Sequence, residues 1–179
     1  MHEIEIKILE INVQDVVSKI ENLGAHKTQE VLLKVDWLSF PEHDKNHQPW
    51  FLRVRSYNTG KVEITWKGDL ENIKNVRKIK EINITVDDHE KTKTLFESIG
   101  LVVYAHQEKK RMSWKLGDIV FDLDTYPVMK SYLEIEGPSE EEINNMIKKL
   151  GLESHETWSD GERTLIENKH GLNWSDMRF

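Results

Sequence analysis

The sequence predicts an α+β fold: a closed eight-stranded antiparallel β-barrel, shaped as a tunnel with a polar, charged interior and helices packed on the outside. Three observations carry this prediction. About eight segments alternate apolar and polar residues, as strands with two unlike faces do. Three segments instead repeat apolar residues at helical spacing and stop at glycine. The polar faces of the strands also sort their charges by sign, which a face bathed only in water has no reason to do.

The candidate strands are His2–Ile11, Val31–Phe40, Trp50–Tyr57, Lys61–Lys67, Lys80–Val86, His106–Lys115, Asp118–Thr125 and Ser131–Gly137. The first predicted helix carries Val13, Val16, Val17, Ile20 and Leu23, with Asn12 as N-cap and Gly24 as stop. A second runs from Asp88 to Ile99. A third runs from Ser139 to Leu150, where Ser139 and Glu142 have capping-box spacing. A fourth is expected within Gly161 to Lys169. Pro41 to Pro49 and Gly68 to Asn75 read as loops. No linker, repeat or low-complexity tract interrupts the pattern, so residues 1–179 are expected to form one domain.

Composition narrows the function. A formal net charge of −7 argues against nucleic acid or anionic membrane as a partner. The absence of cysteine excludes disulfides and thiolate metal sites. No apolar run approaches the roughly 18 residues a spanning helix needs, and the N-terminus lacks the pattern of a signal peptide. A cytoplasmic protein, monomeric or homodimeric, is expected.

Successive strand side chains point to opposite faces. Ile4, Ile6 and Ile8 therefore oppose Glu3, Glu5 and Lys7; Leu52 and Val54 oppose Arg53 and Arg55; Val62, Ile64 and Trp66 oppose Glu63, Thr65 and Lys67. Met112 and Trp114 oppose Lys109, Arg111 and Ser113, while Ile119, Phe121 and Leu123 oppose Asp122 and Asp124. Leu133 and Ile135 oppose Tyr132, Glu134 and Glu136. Like charges two residues apart on one face repel. The acidic pairs make sense if they converge on Mg²⁺ or Mn²⁺, and the basic pairs if they converge on phosphate oxygens. A metal–triphosphate complex presents both signs in alternation.

These motifs resemble those of the CYTH superfamily, the triphosphate tunnel metalloenzymes. Glu3-Ile4-Glu5-Ile6-Lys7 resembles the family's opening Glu-x-Glu-x-Lys, and Leu52-Arg53-Val54-Arg55 its Arg-x-Arg strand. Thr65-Trp66-Lys67-Gly68, Lys109-Lys110-Arg111, Phe121-Asp122-Leu123-Asp124 and Leu133-Glu134-Ile135-Glu136-Gly137 follow in the family's order. The resemblance implies that Glu3, Glu5, Glu134 and Glu136, with Asp122 or Asp124, hold metal. It implies that Lys7, Arg53, Arg55, Lys67, Lys109 and Arg111 bind a triphosphate, with Lys67 or Lys7 as catalytic base. The implied activity is metal-dependent hydrolysis of tripolyphosphate, a nucleoside triphosphate or thiamine triphosphate. The alternatives are cyclisation of ATP to cyclic AMP and pyrophosphate, as in class IV adenylyl cyclases, and non-catalytic binding of polyphosphate or nucleotide.

Two motifs depart from the family. Asn83 replaces a carboxylate in Ile79-Lys80-Glu81-Ile82-Asn83, and Asp36-Trp37-Leu38 lacks the Tyr of the family's Asp-x-Tyr. Trp37 or Trp50 could stack on a base, whereas Trp66 and Trp114 read as packing residues. His43 and His47 lie in a polar loop, and His106 and His155 have no evident partner in the sequence.

Overall fold

The computed structural model describes residues 4–42, 50–73 and 76–179. Its elements run in the order β1 (Ile4–Ile8), α1 (Val13–Asn22), β2 (His26–Ser39), β3 (Phe51–Tyr57), β4 (Val62–Ile73), β5 (Val76–Val86), α2 (His89–Ser98), β6 (Val102–Leu116), β7 (Ile119–Thr125), β8 (Tyr132–Gly137), α3 (Glu140–Lys149), β9 (Thr157–Trp158), α4 (Glu162–Thr164) with a π-helical turn Leu165–Lys169, and β10 (Asp176–Met177). The helices begin where the sequence places their caps. Asn12, Asp88 and Ser139 accept hydrogen bonds from the backbone N–H of Asp15, Lys91 and Glu142.

The expected closed eight-stranded barrel is not what forms. Among the described residues, ten strands make one open sheet in the order β5-β4-β3-β2-β6-β7-β8-β1-β9, with β10 added in parallel beside β6. The two extra strands, β9 and β10, come from the segment after Gly151. At two residues each they are too short to show alternation. β4 also extends through most of the stretch expected to be a loop at Gly68 to Asn75, β5 begins at Val76, and a register shift lies between Gly68 and Glu71.

The chain divides into two compact units. Unit 1 comprises Met1–Val31, Lys109–Asn173 and Phe179; unit 2 comprises Leu32–Glu108 and Trp174–Arg178. In unit 1, α1 and α3 cover the apolar faces of the strands. Val16, Ile20, Ile143, Met146 and Ile147 pack with Ile8, Trp114, Phe121, Leu123, Leu133 and Ile135. Burying a side chain of this size contributes about 1.5–3 kcal/mol. In unit 2, Leu38, Leu52, Val54, Val62 and Leu101 form a smaller core, with Trp50, Trp66 and Phe96 of α2 packed against it. Trp66 and Trp114 thus pack as expected; Trp50, named as a candidate for stacking on a base, packs against this core too, its ring meeting Phe40 edge-on at 5.9 Å.

Gly137 shows how tightly α3 is seated. A Cβ there would lie 2.6 Å from Ile119 Cδ1 and 3.2 Å from Ile143 Cγ1. Gly137→Ala is therefore expected to destabilise the protein by about 1–3 kcal/mol through overpacking, read from urea unfolding.

Candidate active site

The antiparallel register of unit 1 brings its charged residues onto one face. Lys7 pairs with Glu134 and Glu5 with Glu136 across β1 and β8. Asp122 pairs with Glu134 across β7 and β8, and Arg111 with Asp124 across β6 and β7. Cross-strand neighbours on one face are close enough to interact directly. Alternation and register together therefore gather motifs that are more than a hundred residues apart in sequence.

Each cation on this face is shared by several carboxylates. Lys7 Nζ donates to Glu5 Oε1 at 2.8 Å and lies 3.1 Å from Glu134 Oε2. Arg111 donates through Nε to Asp124 Oδ1 at 2.6 Å and through Nη2 to Asp124 Oδ2 at 2.5 Å. It also pairs with Asp122 and reaches Glu134 Oε1 at 3.3 Å. Lys109 Nζ donates to Asp124 Oδ2 at 2.9 Å and to Glu162.

Glu162 is the residue the alternation could not reveal. It opens the single turn of α4, outside any strand, and carries no periodic signal. Tyr126 Oη donates to it at 2.8 Å and Tyr132 Oη at 3.0 Å. Burial opposes its ionisation, but Lys109, Arg111 and these hydrogen bonds hold its carboxyl well below the usual range. Asp124 is lowered in the same way, with burial outweighed by Lys109 and Arg111. Burial, with Glu162 and Asp124 close by, keeps the phenols of Tyr126 and Tyr132 neutral and therefore able to donate.

Glu134 moves in the opposite direction. Burial pushes its carboxyl up to about 7; Arg111 and Lys7 pull it down, while Glu5 and Asp124 add to the rise. Lys7 is buried, which favours the neutral amine, yet Glu134 and Glu5 more than offset this and raise its pKa. Lys7 is thus held as an ammonium between these two carboxylates.

Glu5, Asp122, Asp124, Glu134, Glu136 and Glu162 together outnumber Lys7, Lys109 and Arg111, so the face carries excess negative charge. Its donors are all oxygens, the set that hard divalent cations prefer. In chemistry and charge the site fits Mg²⁺ or Mn²⁺. Among the described residues these carboxylates do not by themselves bring three ligand atoms within 4.8 Å of one another. Glu3 lies outside the described residues, as do His43 and His47.

The remaining predicted cations stand on the polar face of unit 2. Arg55 Nη2 donates to Glu63 Oε1 at 2.5 Å, and Lys67 Nζ lies 2.6 Å from Glu81 Oε2. Thr65 donates to Asn83, which in turn donates to Glu81, so the residue replacing a carboxylate still joins the polar network. Trp37 pairs opposite Arg53, whose guanidinium lies 5.6 Å from the ring centre. Leu38, which stands where the family has Tyr, turns into the core. Phe51 and Trp174 pack against Trp37 at 5.4 and 5.3 Å.

This arrangement of acidic and basic strand faces over residues 4–137 coincides with a known domain. The chain matches the model of the CYTH domain over residues 1–161. It belongs to the CYTH family. Members of that family act as triphosphatases or adenylyl cyclases on triphosphate substrates and depend on metal. No curated protein matches the chain. Among solved structures, this CYTH protein is similar to the PH1012 protein from Pyrococcus horikoshii OT3, at 29% identity and TM-score 0.68 over 86% of this chain and 94% of that one. A candidate adenylate cyclase from Vibrio parahaemolyticus has 14% identity and TM-score 0.75 over 93% and 98%. HpAC1 from Hippeastrum, a candidate adenylyl cyclase with a dominant triphosphatase activity, has 14% identity and TM-score 0.64 over 96% of each chain. The last two establish the shared fold. No helix is long and apolar enough to cross a membrane among the described residues.

Proposed function

We propose that this CYTH protein is a metal-dependent triphosphatase and that the carboxylate face of unit 1 holds Mg²⁺ or Mn²⁺. The observation that supports the reading is the excess of carboxylates around Lys7, Lys109 and Arg111, three of them buried, with Glu134 raised to about 7. Glu5, Glu134 and Glu136, with Asp122 or Asp124, are the proposed ligands. Glu3 shares their motif. A divalent ion held there would supply charge neutralisation for the phosphates and Lewis acidity.

The chain's own residues do the rest. Arg111 and Lys109 present N–H donors now taken by carboxylates; phosphate oxygens compete for the same donors, and Arg offers them a bidentate contact. Tyr126 and Tyr132 hold Glu162, which anchors Lys109. Lys7 is proposed as a phosphate contact. Arg53, Arg55 and Lys67 are proposed phosphate contacts on the polar face of unit 2, and Lys67 or Lys7 is the candidate base. Phosphoryl transfer asks mainly for such positioning and charge neutralisation.

Hydrolysis is placed ahead of cyclisation because triphosphatase activity dominates in HpAC1, a protein of the same fold. Trp37 beside Arg53 favours the second reading, a triphosphate that carries a base. The test is a panel of tripolyphosphate, ATP and thiamine triphosphate with Mg²⁺ or Mn²⁺, with products identified by mass. Orthophosphate release supports the proposal. Cyclic AMP with pyrophosphate supports cyclisation, and binding without turnover supports a sensor. Glu5→Gln is expected to lower metal-dependent turnover by about 100-fold or more while leaving the fold intact, since Glu5 is half-exposed and packs into no core. Retained turnover would remove β1 from the ligand set.

A further inference from the structure

Unit 2 holds a second group of ligating side chains, none of which the triphosphate reading uses. Asp36 of β2 is buried at 4% exposure. Its Oδ2 meets Nε2 of His89 at 2.8 Å, and its Oδ1 meets Nδ1 of His106 at 2.5 Å. His106, without an evident partner in the sequence, thus has one in space. His89 and Glu90 open α2, and one ligand atom each from Asp36, His89 and Glu90 lies within 4.8 Å of the other two. Among the described residues no other group of three meets that distance. Asp36, His89, Glu90 and His106 all line a cavity of about 470 Å³.

Two features separate this group from an ordinary polar cluster. Nδ1 of His89 and Nε2 of His106 are buried without a hydrogen-bond partner, so protein atoms alone do not complete the network. The nearest carboxylate to His106 Nε2 is Glu108, at 3.8 Å. The donors also mix imidazole nitrogen with carboxylate oxygen, a set that suits Zn²⁺ and its neighbours better than Mg²⁺. The ammonium of Lys93 lies 2.6 Å from Glu90 and 3.6 Å from Asp36 Oδ2, standing in for part of the positive charge. The positive end of the α2 dipole works against a cation, and the acidic side chains Asp88 and Glu90 at that end offset it.

We propose that Asp36, His89 and Glu90 form a transition-metal site selective for Zn²⁺, separate from the carboxylate face of unit 1. His106 holds the second oxygen of Asp36 and so orients the ligating carboxylate. Such outer hydrogen bonds are worth about 10–100-fold in metal affinity. The ion would fasten the start of α2 to β2.

The test is competition for Zn²⁺ between the metal-free full-length chain and a chromophoric chelator, together with the visible absorption of bound Co²⁺. The parent is expected to bind one Zn²⁺ here and to shift the Co²⁺ bands as imidazole coordination does. His89→Gln should weaken Zn²⁺ binding by about 10-fold or more. Lys93→Met should strengthen it, and Glu134→Gln should leave it unchanged. Glu90→Gln is the second variant: Glu90 is exposed and its replacement leaves the core intact. Zn²⁺ affinity that is equal in the parent, His89→Gln and Glu90→Gln would overturn the site, as would binding lost in Glu134→Gln.

Discussion

Arg111→Ala is expected to lower stability by about 3–5 kcal/mol and to abolish turnover. Arg111 is the hub of unit 1's polar face: it holds Asp124 through two hydrogen bonds, pairs with Asp122 and reaches Glu134. Asp124 is fully buried, and Lys109 would be left as its only remaining cation. Deleting one partner of a buried ion pair strands the other charge in a poorly polarisable interior, which is why the cost exceeds that of losing a surface pair. Arg111→Lys keeps the charge but not the planar fork, so it should recover part of the stability and little of the activity. Urea unfolding and phosphate release measured on both variants check this. A loss below about 1 kcal/mol for the alanine variant would mean that the pair is effectively solvated.

Glu134→Gln is expected to act in opposite directions on stability and on activity. The Glu134 carboxyl titrates at about 7 in the folded protein against 4.5 as the ordinary value. For a carboxyl raised by folding, the folded state holds its proton more tightly than the unfolded chain. Its ionisation then costs nothing below pH 4.5, costs progressively more as pH rises to 7, and reaches at most about 3 kcal/mol above that. The amide removes this cost. In EDTA at pH 8 the variant should melt higher than the parent, and the difference should shrink toward pH 5. Part of the gain is given back because Lys7 loses one of its two carboxylate partners. Mg²⁺ should stabilise the parent at pH 8 and the variant much less, and metal-dependent turnover should fall by about 100-fold or more. A variant that melts lower than the parent at pH 8 without metal would mean that Lys7 and Arg111 already compensate Glu134 in full.

The strand faces were legible in the sequence because alternation is a local signal. Glu5 and Lys7, Arg111, Asp122 and Asp124, and Glu134 and Glu136 each declare their face within one strand. The apolar sides were legible for the same reason, and the caps Asn12 and Ser139 marked two of the helices. Closure of the sheet was not legible. It depends on which strands meet at the edges, a long-range property, and the strand order leaves β5 and β9 as ends. Glu162 escaped because a one-turn helix has no periodicity. His106 and Asp36 escaped because a contact between β2 and β6 is set by pairing and not by spacing.

The most direct test of the account is Mn²⁺ binding measured by electron paramagnetic resonance, carried out on a chain bearing His89→Ala so that the α2 site does not contribute. The account predicts binding that tightens when tripolyphosphate is added and weakens by about 10-fold or more in Glu134→Gln. Mn²⁺ affinity unchanged by Glu134→Gln, with or without tripolyphosphate, would contradict it.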